Sequence, residues 1–146
     1  TEVRRVGTTL KLQLIEHRVT DQTDIERVFG SIKRGDVDGV FIVSPNLQQK
    51  FTSLILRLAT ERRLPLAVHT NTWVEKGGLF SYGHDPASVG PAAATYVDKI
   101  LKGTKPADLP VEQPMKFELV INVKTAKQID LTIPQSVLYR ADKVIK

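Results

Sequence analysis

Apolar positions along the first half of the chain follow two alternating rhythms. Leu10–Val19 (LKLQLIEHRV) is rich in apolar and extended-favouring residues and predicts a strand. Thr20–Thr23 reads as a polar turn. Thr23 with Glu26 forms a T-x-x-E pattern in which each side chain can satisfy a backbone donor of the other, a capping box. Ile25, Val28, Phe29 and Ile32 then follow the i, i+3, i+4, i+7 spacing of a helix face, and Gly35 ends it. Gly39–Ser44 (GVFIVS) is a continuous apolar run of strand length, which predicts a parallel strand buried on both faces. Pro45-Asn46 turns the chain. Leu47–Arg63 carries Phe51, Leu54, Ile55 and Leu58 on one helical face, with Arg62-Arg63 at the C-terminal end, where the helix dipole favours cations. Leu64–His69 (LPLAVH) is a third strand. This β-α-β-α-β order predicts an α/β fold, an open parallel sheet with helices on both faces.

The second half changes character. Gly77-Gly78 precedes a short strand, Leu79–Gly83. A helix follows from Ser88 to Lys102, a start that keeps Pro91 in the first turn, where its missing N–H costs nothing. Gly103 stops it at the residue just past the end. Lys105–Pro114 contains Pro106, Pro110 and Pro114 and fits neither helix interior nor central strand. Phe117–Val123 (FELVINV) is a fourth strand expected to join the same sheet. Short helices are expected around Thr125–Asp130 and Pro134–Ile145.

Composition narrows the class. With 146 residues, 41% hydrophobic and 25% charged, the chain can build one core and little more. The apolar runs are about five residues long, against the ~20 a membrane helix needs. Without cysteine there is no disulfide scaffold. The net charge of +5 is spread without a basic tract, so it reads as a solvated surface and no nucleic-acid partner is expected. The chain begins at Thr1 without Met, which suggests that something upstream is missing; no signal peptide is visible, and that decides nothing about the compartment.

Motifs for catalysis are missing: no nucleophile elbow, phosphate loop, dinucleotide fingerprint or H-E-x-x-H occurs. Asp36 and Asp38 flank a turn where acids and glycine are expected, so no metal and no cofactor is predicted. His17 reads as an ordinary strand histidine, whereas His69 and His84 follow strands, where ligand residues gather. Trp73 could equally be a stacking platform or a core residue. Ligands of open parallel sheets sit outside the carboxyl ends of the strands. Those ends carry Ser44-Pro45-Asn46, His69-Thr70-Asn71 and Ser81-Tyr82. Asn46, His69, Asn71, Ser81 and Tyr82 are therefore the expected ligand-binding residues. They form an uncharged, hydrogen-bonding set with an aromatic face, suited to a small polar or amino-acid-like solute.

From GGLFSYG at Gly77–Gly83 through the run AATYVDKILKG…VLYRADKVI, the sequence resembles the substrate-binding proteins of ABC transporters, in the branch that includes tryptophan-binding members. The similarity extends over the whole chain. It implies one lobe of a type I periplasmic-binding-protein fold, whose members have two α/β lobes joined by three crossovers and are about twice this length. By that resemblance, residues 1–82 and 113–146 belong to the C-terminal lobe. Residues 83–112, a helix with its arms, would pack with the N-terminal lobe, and crossovers would fall near Ser81–Gly83 and Ala107–Gln113. Three features depart from the family pattern. The opening strand is absent, Thr1–Gly7 matching the tail of the helix after it; Gly90-Pro91 replaces ordinary helix formers; and Ile129-Asp130-Leu131 replaces an Ile/Leu-Gly-Leu turn, which predicts a looser turn there.

The function this implies is a non-enzymatic solute-binding component of an ABC import system, partnered by a small-molecule solute and by permease subunits, in a periplasmic or lipid-anchored extracytoplasmic setting. The alternative is the effector-binding sensory lobe of a cytoplasmic transcription regulator, because the same fold serves both. The Ser88–Lys102 helix carries Val89, Ala92, Ala93, Tyr96, Val97, Ile100 and Leu101 as one apolar stripe. Such a stripe needs a cover. A homodimer through this helix is expected, the other possibility being that the helix folds back on its own lobe.

Overall fold

The computed structural model describes residues 2–33, 35–43, 45–84, 89–111 and 117–146, and for 45–49 the backbone alone. The elements are α1 (Glu2–Thr9), α2 (Gln22–Ser31), β1 (Val40–Phe41), α3 (Pro45–Glu61), β2 (Leu66–Val68), α4 (Asn71–Glu75), β3 (Phe80–His84), α5 (Val89–Leu101), β4 (Phe117–Asn122), α6 (Val123–Gln128), α7 (Gln135–Leu138) and β5 (Lys143–Ile145). The strands form one sheet in the order β1-β2-β3-β4-β5. All neighbours run parallel except β3 and β4, which are antiparallel. The connection explains the exception: the chain leaves the sheet at the C-terminal end of β3 and re-enters at the same end, so β4 must run back along it.

The main core lies between this sheet and α2, α3 and α4. Ile25 and Phe29 from α2, and Ile55, Leu58 and Ala59 from α3, pack with Leu66, Val68 and Val120 of the sheet and with Trp73 and Val74 of α4. The apolar faces predicted for α2 and α3 thus bury as their 3.6-residue spacing requires. A smaller cluster joins Leu79 to Ala126, Ile129 and Ile133. The alternate sheet positions Phe41, Phe80, Tyr82 and Phe117 keep exposures between 37% and 67%. Gly39–Ser44 is therefore not a strand covered on both sides: Val40–Phe41 pairs with β2, and Phe41 and Val43 are exposed.

Leu10–Val19 is not a strand. Lys11 adopts a left-handed conformation that reverses the chain after α1, Leu14 folds over Gly7, and Arg4 pairs with Glu16 across the turn at 2.5 Å. An extended segment becomes a strand only where another strand satisfies its backbone groups, and among the described residues none pairs with this one. The expected helix from Pro134 to Ile145 shrinks to α7, because Lys143–Ile145 pairs with Val120–Asn122 instead. The Asp142 side chain and backbone lock onto Leu119 at 2.8 and 2.9 Å and start that pairing. The cap of α2 is Asp21, whose carboxylate accepts from the Asp24 N–H at 2.9 Å, rather than Thr23, which lies inside the helix.

Helix ends follow one device. After α5, Gly103 takes the left-handed cap predicted for it, and Thr104 N–H donates to Lys99 C=O at 3.0 Å. The same pair of bonds ends α3 at Arg63 and α6 at Asp130, both left-handed without being glycine. The turn after α6 is not looser for its aspartate. Leu131 N–H donates to Ala126 C=O at 2.9 Å, and the Asp130 carboxylate meets the guanidinium of Arg63, so the two unusual caps pair with each other.

Candidate functional site at the strand ends

One edge of the sheet collects the C-terminal ends of β1, β2 and β3. Because β4 is antiparallel, its N-terminal end joins them there. Gly83 sits opposite Glu118 and His84 opposite Phe117. Close packing at this edge depends on Gly83, since a Cβ there would stand 2.7 Å from the carbonyl oxygen of His69. Two hollows, of about 380 and 530 Å³, lie beside the C-terminal half of α3, whose last turn leads to the opposite edge of the sheet.

Among the expected site residues, the structure brings Asn71, Ser81, Tyr82 and His69 to this rim. The side chain of Asn46 lies outside what is described, although its backbone opens α3 just after β1. Ser81 has no exposed surface, and its hydroxyl donates to Asn71 Oδ1 at 3.0 Å. Enclosed in this way, it cannot touch a solute and contributes by fixing Asn71. The amide of Asn71 in turn donates through Nδ2 to Glu118 Oε2 at 3.2 Å. Its plane is therefore set at both ends, and the carboxylate, which only accepts, fixes which end carries the nitrogen.

Tyr82 is two-thirds exposed and stacks on Phe117, with ring centroids 5.7 Å apart and planes 27° apart. Alternation along β3 points Tyr82 to the sheet face opposite Ser81. His69 is exposed, and its imidazole is held below the usual histidine range, first by partial burial and then by the neighbouring His84. It is thus a neutral donor and acceptor near pH 7. Trp73 is a core residue, 6% exposed, and so is no stacking platform. The Asp36 carboxylate accepts from Lys33 N–H at 2.8 Å, an ordinary turn contact.

Glu118 and Phe117 were not expected at the rim. The F-E start of the fourth strand is visible in the sequence, but only C-terminal strand ends suggest themselves when the sheet is taken as parallel throughout. The strand register puts Glu118, with Asn71, on the Ser81 face of the sheet and Phe117 on the Tyr82 face, so the rim presents hydrogen-bonding groups and one carboxylate on one side and an aromatic surface on the other. Among the described residues there is no group of three or more side chains suited to a metal ion.

Residues 2–145 match the family model described as ABC transporter substrate binding protein. The chain is 23% identical over 119 residues to a tyrosine-binding protein of Clostridioides difficile, covering 82% of this chain and 34% of the relative. It superposes on a conserved domain protein from Vibrio cholerae with a TM-score of 0.86 at 26% identity, covering 98% of this chain and 48% of that one. It matches a Streptococcus pneumoniae ABC domain in complex with L-Trp with a TM-score of 0.84 at 26% identity, covering 99% of this chain and 48% of that one. The chain thus spans a third to a half of the length of these relatives.

Proposed function

We propose that this chain, which belongs to the ABC transporter substrate-binding protein family, forms the C-terminal lobe of a protein that captures an aromatic amino-acid-like solute. It does so without catalysis, holding the solute for ABC permease subunits outside the cytoplasm, periplasmic or lipid-anchored. Residues 1–82 and 113–146 make the lobe, and residues 83–112, centred on α5, reach to a second lobe. The observation that carries the reading is the rim itself. A fixed amide at Asn71, a neutral His69 and the exposed Tyr82–Phe117 pair stand at the one edge where parallel sheets receive ligands. Asn46, His69, Asn71 and Tyr82 are the proposed contacts, with Ser81 behind them. The tyrosine in one relative's name and the L-Trp in one similar structure point to the same class of solute.

A rim of this kind is half of a cleft, and a solute held between two lobes loses about half its contacts when one is missing. Calorimetry with L-tyrosine and L-tryptophan tests this. Micromolar binding is expected for the full-length protein, and binding at least about 100-fold weaker for residues 1–146 alone. Equal affinity would refute the two-lobe reading, and no binding of either amino acid by the full-length protein would refute the solute class.

The second lobe also accounts for α5. This helix has no buried residue, and Val97 and Leu101 are 54% and 81% exposed. The Tyr96 hydroxyl donates to Pro110 C=O at 2.6 Å. When the chain is studied alone, we propose that two copies cover the stripe as a two-fold dimer. Ser88, at the expected start of the helix, lies outside the described residues.

A further inference from the structure

β3 and β4 stay paired beyond Ser81, the last residue of β3 that meets β2: Tyr82 lies opposite Leu119, Gly83 opposite Glu118, and His84 opposite Phe117. Alternation along both strands puts Tyr82, His84, Phe117 and Leu119 on one face of this two-stranded ribbon. That face is made of three rings and one aliphatic chain. Tyr82 and Phe117 stack with centroids 5.7 Å apart, yet stay 67% and 51% exposed, and His84 is exposed as well. A second imidazole borders the ribbon, since His69 is near enough for the charge of His84 to act on it. Phe117 therefore spends part of its ring on Tyr82 and leaves half of its surface to water. Exposed rings gathered at the edge where a parallel sheet receives ligands are best covered by another ring.

We infer that the aromatic ring of the solute packs on this face of the ribbon, and that Phe117 is the residue that selects for it. The inference rests on the solute-capture reading above and deepens it, by giving the ring a place and a discriminating side chain. Aromatic rings prefer offset-stacked or edge-to-face arrangements with centroids about 4.5–7 Å apart, and gain from them beyond the area they bury. The Tyr82–Phe117 pair already has that spacing, so a third ring on the open side of Phe117 extends an existing stack without rearranging it. An aliphatic side chain of similar size gains contact area there and no stacking. Phe117 thus separates aromatic from aliphatic solutes, while Tyr82 holds it in position from behind.

The test is calorimetry on the full-length protein with L-tryptophan and L-tyrosine, comparing the wild type with F117L and F117Y. Leucine keeps an apolar side chain at the position and removes the ring; tyrosine keeps the ring. F117L is expected to lose about 10-fold in affinity for both amino acids, and F117Y to stay within about twofold of the wild type. Because Phe117 is half exposed, the melting temperature without ligand should be nearly unchanged in both variants. An F117L variant that binds like the wild type would overturn the inference and leave the solute class standing. So would an F117Y variant as weak as F117L, since the ring would then not be what matters. A lowered melting temperature in F117L with unchanged affinity would show that the second lobe, and not the solute, covers the ribbon, and would overturn it too. Binding of neither amino acid by the wild type would refute the solute class, and the inference would fall with it.

Discussion

Asn122 ends β4, caps α6, and ties α6 to the helix that carries Asn71; its replacement is the sharpest test of how the rim is supported. The residue is 4% exposed. Its Oδ1 accepts from Thr125 N–H at 2.9 Å, and its Nδ2 donates to Val74 C=O at 2.8 Å. In N122A the Thr125 N–H, itself buried, loses its cap, which costs about 1 kcal/mol. The Val74 carbonyl keeps a donor in Gly77 N–H at 3.1 Å, so it is not orphaned, and losing the second bond costs about 1 kcal/mol. With the small void left by the amide, the total is about 2–3 kcal/mol. For a chain of this size that lowers the melting temperature by about 5–10 °C. N122S retains a good cap and cannot reach Val74, so it should recover about 1 kcal/mol of the loss. Urea melts with unchanged m-values measure both differences. An N122A variant within about 0.5 kcal/mol of wild type, or an N122S variant as unstable as N122A, would refute the reasoning.

Two further outcomes are expected. D130G should exceed D130A in stability by about 1 kcal/mol, because only glycine adopts the left-handed cap at φ 57° without strain and the exposed Arg63 pair lost in both contributes little; equal urea midpoints would show that the cap carries no strain. Residues 1–146 alone should sediment as a dimer at micromolar concentration, and V97D with L101D on the exposed α5 stripe should convert it to a monomer of 16.3 kDa; a monomeric wild-type chain would reject the pairing.

What the sequence by itself determined is what local periodicity and capping decide. The buried faces of α2 and α3 follow from Ile25, Phe29, Ile55 and Leu58 at helical spacing, and the end of α5 follows from Gly103, because a helix face and a helix cap are formed by residues within a few positions of one another. Part of the candidate site was legible for the same reason: Asn71 follows the apolar run that ends in β2, and Tyr82 lies in the short strand β3 after Gly77-Gly78. Strand identity at Leu10–Val19 and Lys143–Ile145 was not legible, since a strand exists only beside a partner and the partner lies far along the chain. Leu10–Val19 has the composition and lacks the neighbour; Lys143–Ile145 sits in a helix-like context and has one. The direction of β4 was decided by tertiary structure as well, because it depends on the edge at which a long connection returns. That single reversal carries Phe117 and Glu118 from the far end of the sheet to the rim, where the charge of the site resides.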